Sequence, residues 1–447
     1  MRRIIFFSLV TCFIACTDSD LQENVSRNNG FQAVQYDANR RSYAEAVEIA
    51  QNSIKMLEDG SSITRSANSG RRLDLKSGVK AVKQHITRSN GAASTNDTLL
   101  YIFNFMDNQG FAIVSASRQT SGLLAVIESG SYDPSIPTGN PGFDSFMNMA
   151  STYVAYKDKI PVAESSTTRS GSVPRMYKPV YDTIIYRKVD PMINVKWGQG
   201  GRCGQFCPNN TAGCSITAAA QIMSHFKYPT ILPLTYPDHD VNYSPLNWTA
   251  MCNHIYTDCY NNRDEADMQI GRLCRQLGHL AGSNYGDDGQ TSTWLSAIKS
   301  VVQLLGYHVG TIQNYNYMIN QYVYDPDAGY PLASILSSGA LIYMVGDNSD
   351  GDGHAWVIDG CYYVKCNYYL MVSYDGGHSW SNDQLLGVYR TCHNHINWGW
   401  NGMQNGYFES YVFNAYNELE LDNEYDSLFP GLNLNFYNDI QYFSVLY

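Results

Sequence analysis

Positive charge is scarce in this 447-residue chain: 30 Lys and Arg stand against 41 Asp and Glu, a formal net charge of -11. No basic stripe is available to displace counterions from a phosphate backbone, which excludes nucleic acid as a partner. Long apolar runs are missing too. After the first sixteen residues no stretch is long enough to span a bilayer, so the membrane is reachable only through the N-terminus. Cysteine is absent between Cys16 and Cys203, so the N-terminal half has no disulfide framework and differs in composition from the C-terminal half. The residues that are plentiful are those of a globular protein: 44% hydrophobic, only 16% charged, with 35 Tyr and 7 Trp, which excludes disorder. A chain of this length has room for two folded units and a processed leader.

The leader is residues 1–16. Arg2 and Arg3 form its positive end, Ile4 to Ala15 its apolar stretch, and Phe13-Ile14-Ala15-Cys16 resembles a bacterial lipobox in which Cys16 is lipidated. The plainer alternative for Cys16 is a leader residue removed nearby. The expected location is an exported, outer-membrane or cell-surface lipoprotein precursor. A polar tether leads to Ser42, which with Glu45 forms a capping box ahead of a helical pattern at Val47, Ala50, Ile54 and Leu57. Leu99 to Phe105 and Phe111 to Ser115 flank a turn at Asp107-Asn108-Gln109-Gly110, a hairpin signature. Residues 17 to about 165 therefore read as a small α+β domain. Glu164 to Ser172, a Ser/Thr run without apolar periodicity, reads as an exposed linker and a natural place for a cut.

Beyond the linker, Gly213-Cys214 opens an Ala-rich helical pattern that stops before Pro229. A thiol at a helix N-terminus faces unsatisfied N–H groups and the positive end of the macrodipole, which favour the attacking thiolate. Alone, such a Cys is more often a core residue or half of a disulfide. His354, after a glycine-rich turn and at the head of the apolar run Ala355 to Ile358, supplies a base, and Asn397 beside Trp398 supplies an orienting amide with a ring to shield it. Each of these, taken singly, is equally a structural residue. The order Cys, His, Asn over this span is that of papain-like proteases.

Setting aside Cys12, Cys16 and Cys214, eight cysteines remain: Cys203, Cys207, Cys252, Cys259, Cys274, Cys361, Cys366 and Cys392. They allow 105 pairings, among which the sequence does not choose. Cys203 with Cys207 and Cys361 with Cys366 lack a convincing second ligand pair for zinc, so no metal is expected.

At these residues the chain resembles the streptopain family of secreted bacterial cysteine proteases. The matching pieces are Trp197-Gly198-Gln199, Gly213-Cys214 with Ala219 to Met223 and Tyr228-Pro229, Gly353 to Gly360, and Asn397-Trp398-Gly399-Trp400. The resemblance implies an α+β, papain-like catalytic domain over 169–447, its helical part carrying the Cys and its antiparallel sheet the His and Asn. Over 17–168 it implies an inhibitory pro-domain and linker. It further implies Cys214 as nucleophile, His354 as general base and acid, Asn397 orienting His354, Gln199 in the oxyanion hole, Trp398 shielding the Asn–His bond, and no cofactor. The partners would be protein or peptide substrates, the chain's own pro-domain as intramolecular inhibitor, and a membrane through N-terminal lipid only. Two other readings use the same fold: a non-catalytic envelope lipoprotein, against which the intact Cys214, His354, Asn397 and Gln199 speak, and an acyl transferase. The interval between His354 and Asn397 is longer than in short family members and contains Ser373 to Trp380, an S-x-D-x-G-x-S-W pattern expected to stabilise a hairpin turn. Extra loops in that interval would threaten to cover the cleft.

Overall fold

A computed structural model describes residues 40–58, 70–76, 78–86, 95–157, 176–232, 245–253, 264–324, 330–347, 353–373, 379, 381–414 and 439–447. The leader with Cys16, the tether, the linker at 164–172, Cys259, the side chain of Cys366 and the Asp-box positions 374–378 and 380 lie outside them.

The N-terminal part begins with α1, Tyr43–Glu58. Its start is the capping box expected from sequence: the Ser42 and Glu45 side chains exchange bonds with each other's backbone N–H, at 2.7 Å to Glu45 Oε2 and 3.3 Å to Ser42 Oγ. Four strands come next, β1 (Val79–Ile86), β2 (Thr95–Asn104), β3 (Phe111–Ser115) and β4 (Leu123–Ile127), and then a helix, α2 (Pro141–Lys157). The expected hairpin is β2 with β3, closed by Gly110 at φ 109°. Helix α2 is an addition to the expected elements: Asn140 caps it, Pro141 starts it and Phe143, Phe146, Met147, Ala150 and Val154 form its buried side.

The C-terminal part starts with β5 (Met176–Val189) and continues through a helical layer: α3 (Gly201–Gly204), α4 (Cys214–Phe226), α5 (Trp248–Asn253) and α6 (Glu265–Leu280). A short hairpin, β6 (Asn284–Tyr285) with β7 (Thr291–Ser292), leads to α7 (Leu295–Leu304), β8 (His308–Val309), β9 (Gln313–Asn314), α8 (Tyr315–Tyr324) and α9 (Pro331–Ser337). The chain then builds its sheet from β10 (Leu341–Asp347), β11 (Gly353–Ser373), β12 (Ser381–Asn397), β13 (Gly406–Glu409) and β14 (Asp439–Leu446). The described residues between His354 and Asn397 thus form two long antiparallel strands and not a set of covering loops. Strands β11 and β12 pair from Val357↔Asn397 to Val372↔Ser381, and β5 borders β11 from Cys361 onward, so the paired strands run roughly 50 Å from Val357 to Val372 at about 3.3 Å per residue.

The two parts share one sheet, in the order β1-β2-β3-β4-β13-β12-β11-β10-β14-β8, every pairing antiparallel. Distinct composition therefore does not mean a separate sheet. The junction is β4 on β13, with Ala125, Val126 and Ile127 opposite Phe408, Tyr407 and Gly406.

That junction also carries charge and polar contacts. On β12, His395 lies between Asp359 of β11 and Glu128 just past β4, with Nε2 3.0 Å from Glu128 Oε1 and Nδ1 in contact with Asp359 Oδ1. Burial alone would lower the pKa of His395, but the two carboxylates hold it up at about 10. Burial would likewise raise Glu128, and His395 overrides it and keeps it below the usual range. Two residues earlier, His393 Nε2 donates to the Leu123 carbonyl at 3.1 Å. Burial lowers His393 to about 4 and raises the neighbouring Glu409 to about 8, so this second pair is neutral at pH 7.

Candidate active site

The site is assembled where the first turn of α4 meets the head of β11. Gly213 caps α4 with φ 86°, and a Cβ there would lie 2.9 Å from the Thr291 carbonyl, so glycine is needed for both the angle and the approach of β7. Behind it, Thr217 returns to the Gly213 carbonyl through its N–H at 3.0 Å and its hydroxyl at 2.8 Å, fixing the turn. The rest of α4 is buried from Ser215 to Ser224, which holds Cys214 rigidly at the helix entrance.

The Cys214 thiol is half-buried and receives the Ala355 N–H, so it abuts the residue next to His354. Burial nevertheless raises its pKa, and the N–H groups of Ala355, Ser215 and Cys214 and the Ser215 hydroxyl offset that only in part. At this helix entrance desolvation outweighs the terminal dipole, and no cation among the described residues counters it. His354 is the base expected from the sequence. It is 1% exposed, and its Nε2–H donates to the Trp398 carbonyl at 2.9 Å. Its ring lies among Trp356, Trp398 and Trp400, at centroid distances of 6.2 to 6.4 Å. Burial lowers its pKa to about 4, the Trp398 carbonyl opposing. Among the described residues no hydrogen bond joins it to Cys214.

What covers His354 is the N-terminal part. A Cβ on Gly142, in the first turn of α2, would lie 2.7 Å from His354 Cδ2 and closer still to Trp398 Cε3, so only glycine permits this seating. Asn140 anchors it by donating from Nδ2 to the Met403 carbonyl at 3.3 Å and to Gln404 Oε1 at 3.1 Å. Gln404 in turn accepts the Trp398 indole N–H at 3.1 Å through its carbonyl.

Asn397 sits beside this group but engages the other layer. Its Oδ1 accepts from Gln221 Nε2 at 3.0 Å and from the Gly399 N–H at 3.1 Å, and its Nδ2 donates to the Val195 carbonyl at 3.3 Å. In this state it does not hold His354. Trp398, fully buried, lies beside the His354 ring, the two centroids 6.2 Å apart. Gln199 is half-buried, and its carbonyl accepts the Ala212 N–H at 2.7 Å, which ties its segment to the turn before Cys214. The loop at 283–290 is largely the β6–β7 turn, clamped by Asn209 to the carbonyls of Gly286 and Gln290. No group of His, Cys, Asp and Glu among the described residues could hold a metal ion.

Residues 194–408 match the Peptidase C10 family, and residues 38–154 match the Spi protease inhibitor family. The chain is a cysteine endopeptidase of the C10, or streptopain, family. It is made as a zymogen, with an inhibitory pro-domain ahead of a papain-like α+β catalytic part. Streptopain of Streptococcus pyogenes is 23% identical over 362 residues, 75% of this chain and 79% of that one. The thiol protease/hemagglutinin PrtT of Porphyromonas gingivalis is 22% identical over 341 residues, 71% of this chain but 34% of that longer protein. A solved fragment of Prevotella intermedia prointerpain A covers 82% of this chain and 98% of its own, at 20% identity and a TM-score of 0.46.

The zymogen character agrees with this geometry: burial raises the pKa of the thiol and lowers that of the imidazole, and a pro-domain glycine rests on the imidazole. Sequence reasoning misses Gly142, Asn140 and Gln221. The first two carry a signal, the Asn-Pro-Gly start of an apolar-periodic helix. Gln221 falls within the Ala219 to Met223 piece of the resemblance, but its contact with Asn397 is not marked there, because that partner is remote in the chain.

Proposed function

We propose that this zymogen is exported and hydrolyses peptide bonds through Cys214 and His354 once its pro-domain is removed. The observation that supports this best is the placement of the Cys214 thiol on the Ala355 N–H, one residue from His354, at the entrance of a buried helix. With α2 gone, Gly142 no longer rests on His354 and the imidazole is free to take the thiol proton. The thiolate attacks the scissile carbonyl, and the Gln199 amide with the Cys214 N–H stabilises the tetrahedral oxyanion. His354 then protonates the leaving amine, and water, deprotonated by the same imidazole, hydrolyses the thioester. Asn397 orients the imidazolium and Trp398 keeps water from that contact.

In this reading residues 1–16 are the leader with Cys16 lipidated, 17–168 the pro-domain and linker, and 169–447 the catalytic part. The activating cut falls between Thr168 and Lys178, which leaves the lipid on the pro-domain and releases the active part. Incubating purified precursor under reducing conditions, with and without Cys214→Ala, tests the core of it. The wild type is expected to shorten by the pro-domain and to cleave casein, and the variant to lose both by at least about a thousandfold. A wild type that neither shortens nor exceeds the variant would overturn the assignment. Metabolic labelling with a fatty acid, lost in Cys16→Ser, tests the anchor separately.

A further inference from the structure

Three buried thiols meet outside the catalytic site, and their arrangement is specific. Helix α6 turns one stripe toward α3 and the turn after it: Asp267, Gly271, Cys274 and Gly278, spaced four, three and four residues apart. Asp267 Oδ1 lies 3.6 Å from Arg202 Nε, and its carbonyl accepts from Gln205 Nε2 at 2.6 Å. At Gly271 the two backbones come so close that a Cβ would be 2.9 Å from the Arg202 carbonyl. At Gly278 a Cβ would strike the Tyr285 hydroxyl, which lies beside the Cys207 thiol. Cys274 falls between these two tight points, and its thiol contacts that of Cys203. Cys203 and Cys274 are fully buried and Cys207 nearly so. Cys207 is directed elsewhere, its Sγ 3.8 Å from the Cys203 carbonyl.

Two helices that leave no room for a methyl group at one turn are within disulfide reach at the next, where two Cβ atoms must approach to about 3.5–4.5 Å. We propose that Cys203 and Cys274 form a disulfide in the exported protein, stapling the segment that leads into Cys214 onto α6, with Cys207 remaining a thiol. The two thiols lose two protons and two electrons to the disulfide of a thiol oxidoreductase or of an oxidised low-molecular-weight thiol, which leaves as two thiols. The bridge would hold the Gln199–Ala212 connection against the helical layer. Cys361 and Cys392 provide an internal contrast. They sit diagonally across β11 and β12, Cys361 opposite Asn394 and Cys392 opposite Tyr363, a spacing of about 7–8 Å that exceeds disulfide reach, so they stay reduced.

Formation in vivo rests on the export reading, whereas the pairing itself does not. The test is therefore run first on purified precursor oxidised with glutathione disulfide, alkylated, digested without reduction and mapped by mass spectrometry. A linked Cys203–Cys274 peptide with alkylated Cys207 is expected, unchanged in Cys207→Ser and lost in Cys274→Ser. The oxidised Cys274→Ser precursor should melt about 5 °C below the oxidised wild type, a gap that closes in reductant. Alkylation of both Cys203 and Cys274, or a Cys207–Cys274 link, would overturn the pairing. A link formed in the tube but missing from protein isolated from its native envelope would support the pairing and count against export.

Discussion

The chain has two large apolar cores, and they treat the two candidate catalytic residues differently. One is built entirely from the catalytic part, from Ile193 and Trp197 through Ile216, Ile222 and Leu273 to Val445, and Cys214 packs against it. The other is shared: Leu100, Phe111, Phe143 and Phe146 of the pro-domain interleave with Trp356, Trp398 and Phe408 of the catalytic sheet. His354 lies against that shared core, under Gly142. The surroundings of Cys214 are therefore complete without the pro-domain, and those of His354 are not; under the proposed mechanism latency is imposed on the imidazole, and the thiol is left unactivated as a consequence.

The largest expected effect that would break this comparison is an acid one. His354 and His393 have pKa values of about 4 in the folded precursor against 6.5 unfolded. The stability tied to their neutral forms is fully present above pH 6.5 and is lost as pH falls toward 4, at most about 3 kcal/mol for each. Glu409, raised to about 8, works the other way as pH falls to 4.5, so thermal melts of the precursor should fall over that window by about one histidine's share, and His393→Gln should flatten the slope. An unchanged slope would mean that His393 is not buried neutral at the junction. On the alkaline side, His395 is raised to about 10, so its contribution is complete below pH 6.5 and fades as pH rises through about 10.

Next in size is Gly142→Leu, whose side chain must displace Trp398 and His354. Overpacking of this kind costs about 1–3 kcal/mol, so the precursor should melt lower and process itself at least about tenfold faster on a gel time course. Alkylation of Cys214 at pH 7 should be at least about tenfold slower in the precursor than in the processed enzyme, because the thiolate gains its imidazolium partner only afterwards. Equal rates would place the thiol's activation within α4 itself. The smallest effect is that of Glu128→Gln, which removes the more exposed of the two carboxylates on His395. A loss of about 1 kcal/mol in the precursor, and none in the processed enzyme, is expected from paired melts.

Local features are legible in the sequence because their causes are local. The Ser42–Glu45 box, the Gly110 turn and the Gly213 entry into α4 are each specified within a few residues, and the structure has all three. His354 and Asn397 are legible as ends of apolar runs, and they do stand at the head of β11 and the tail of β12. What a sequence does not display is which groups meet across the chain. Asn397 bonding Gln221, Gly142 lying on His354 and Glu128 completing a buried trio with His395 and Asp359 all depend on sheet order and helix seating, which no short window encodes. The long interval after His354 reads as a hazard for the cleft because an insertion gives no direction. The pairing of β11 with β12 and β5 supplies that direction, away from the site.

The seam between β4 and β13 has a consequence for making this enzyme. In the precursor β13 is an interior strand, its four residues buried and both of its edges bonded. Expressed from residue 176 onward, the catalytic part would fold with β13 as a bare edge, its main-chain groups from Gly406 to Phe408 offered to any other chain, which is the geometry of edge-to-edge aggregation. The pro-domain thus keeps that edge of the catalytic sheet paired for as long as it stays in place, and synthesis of the whole chain followed by cutting leaves the edge covered until the cut.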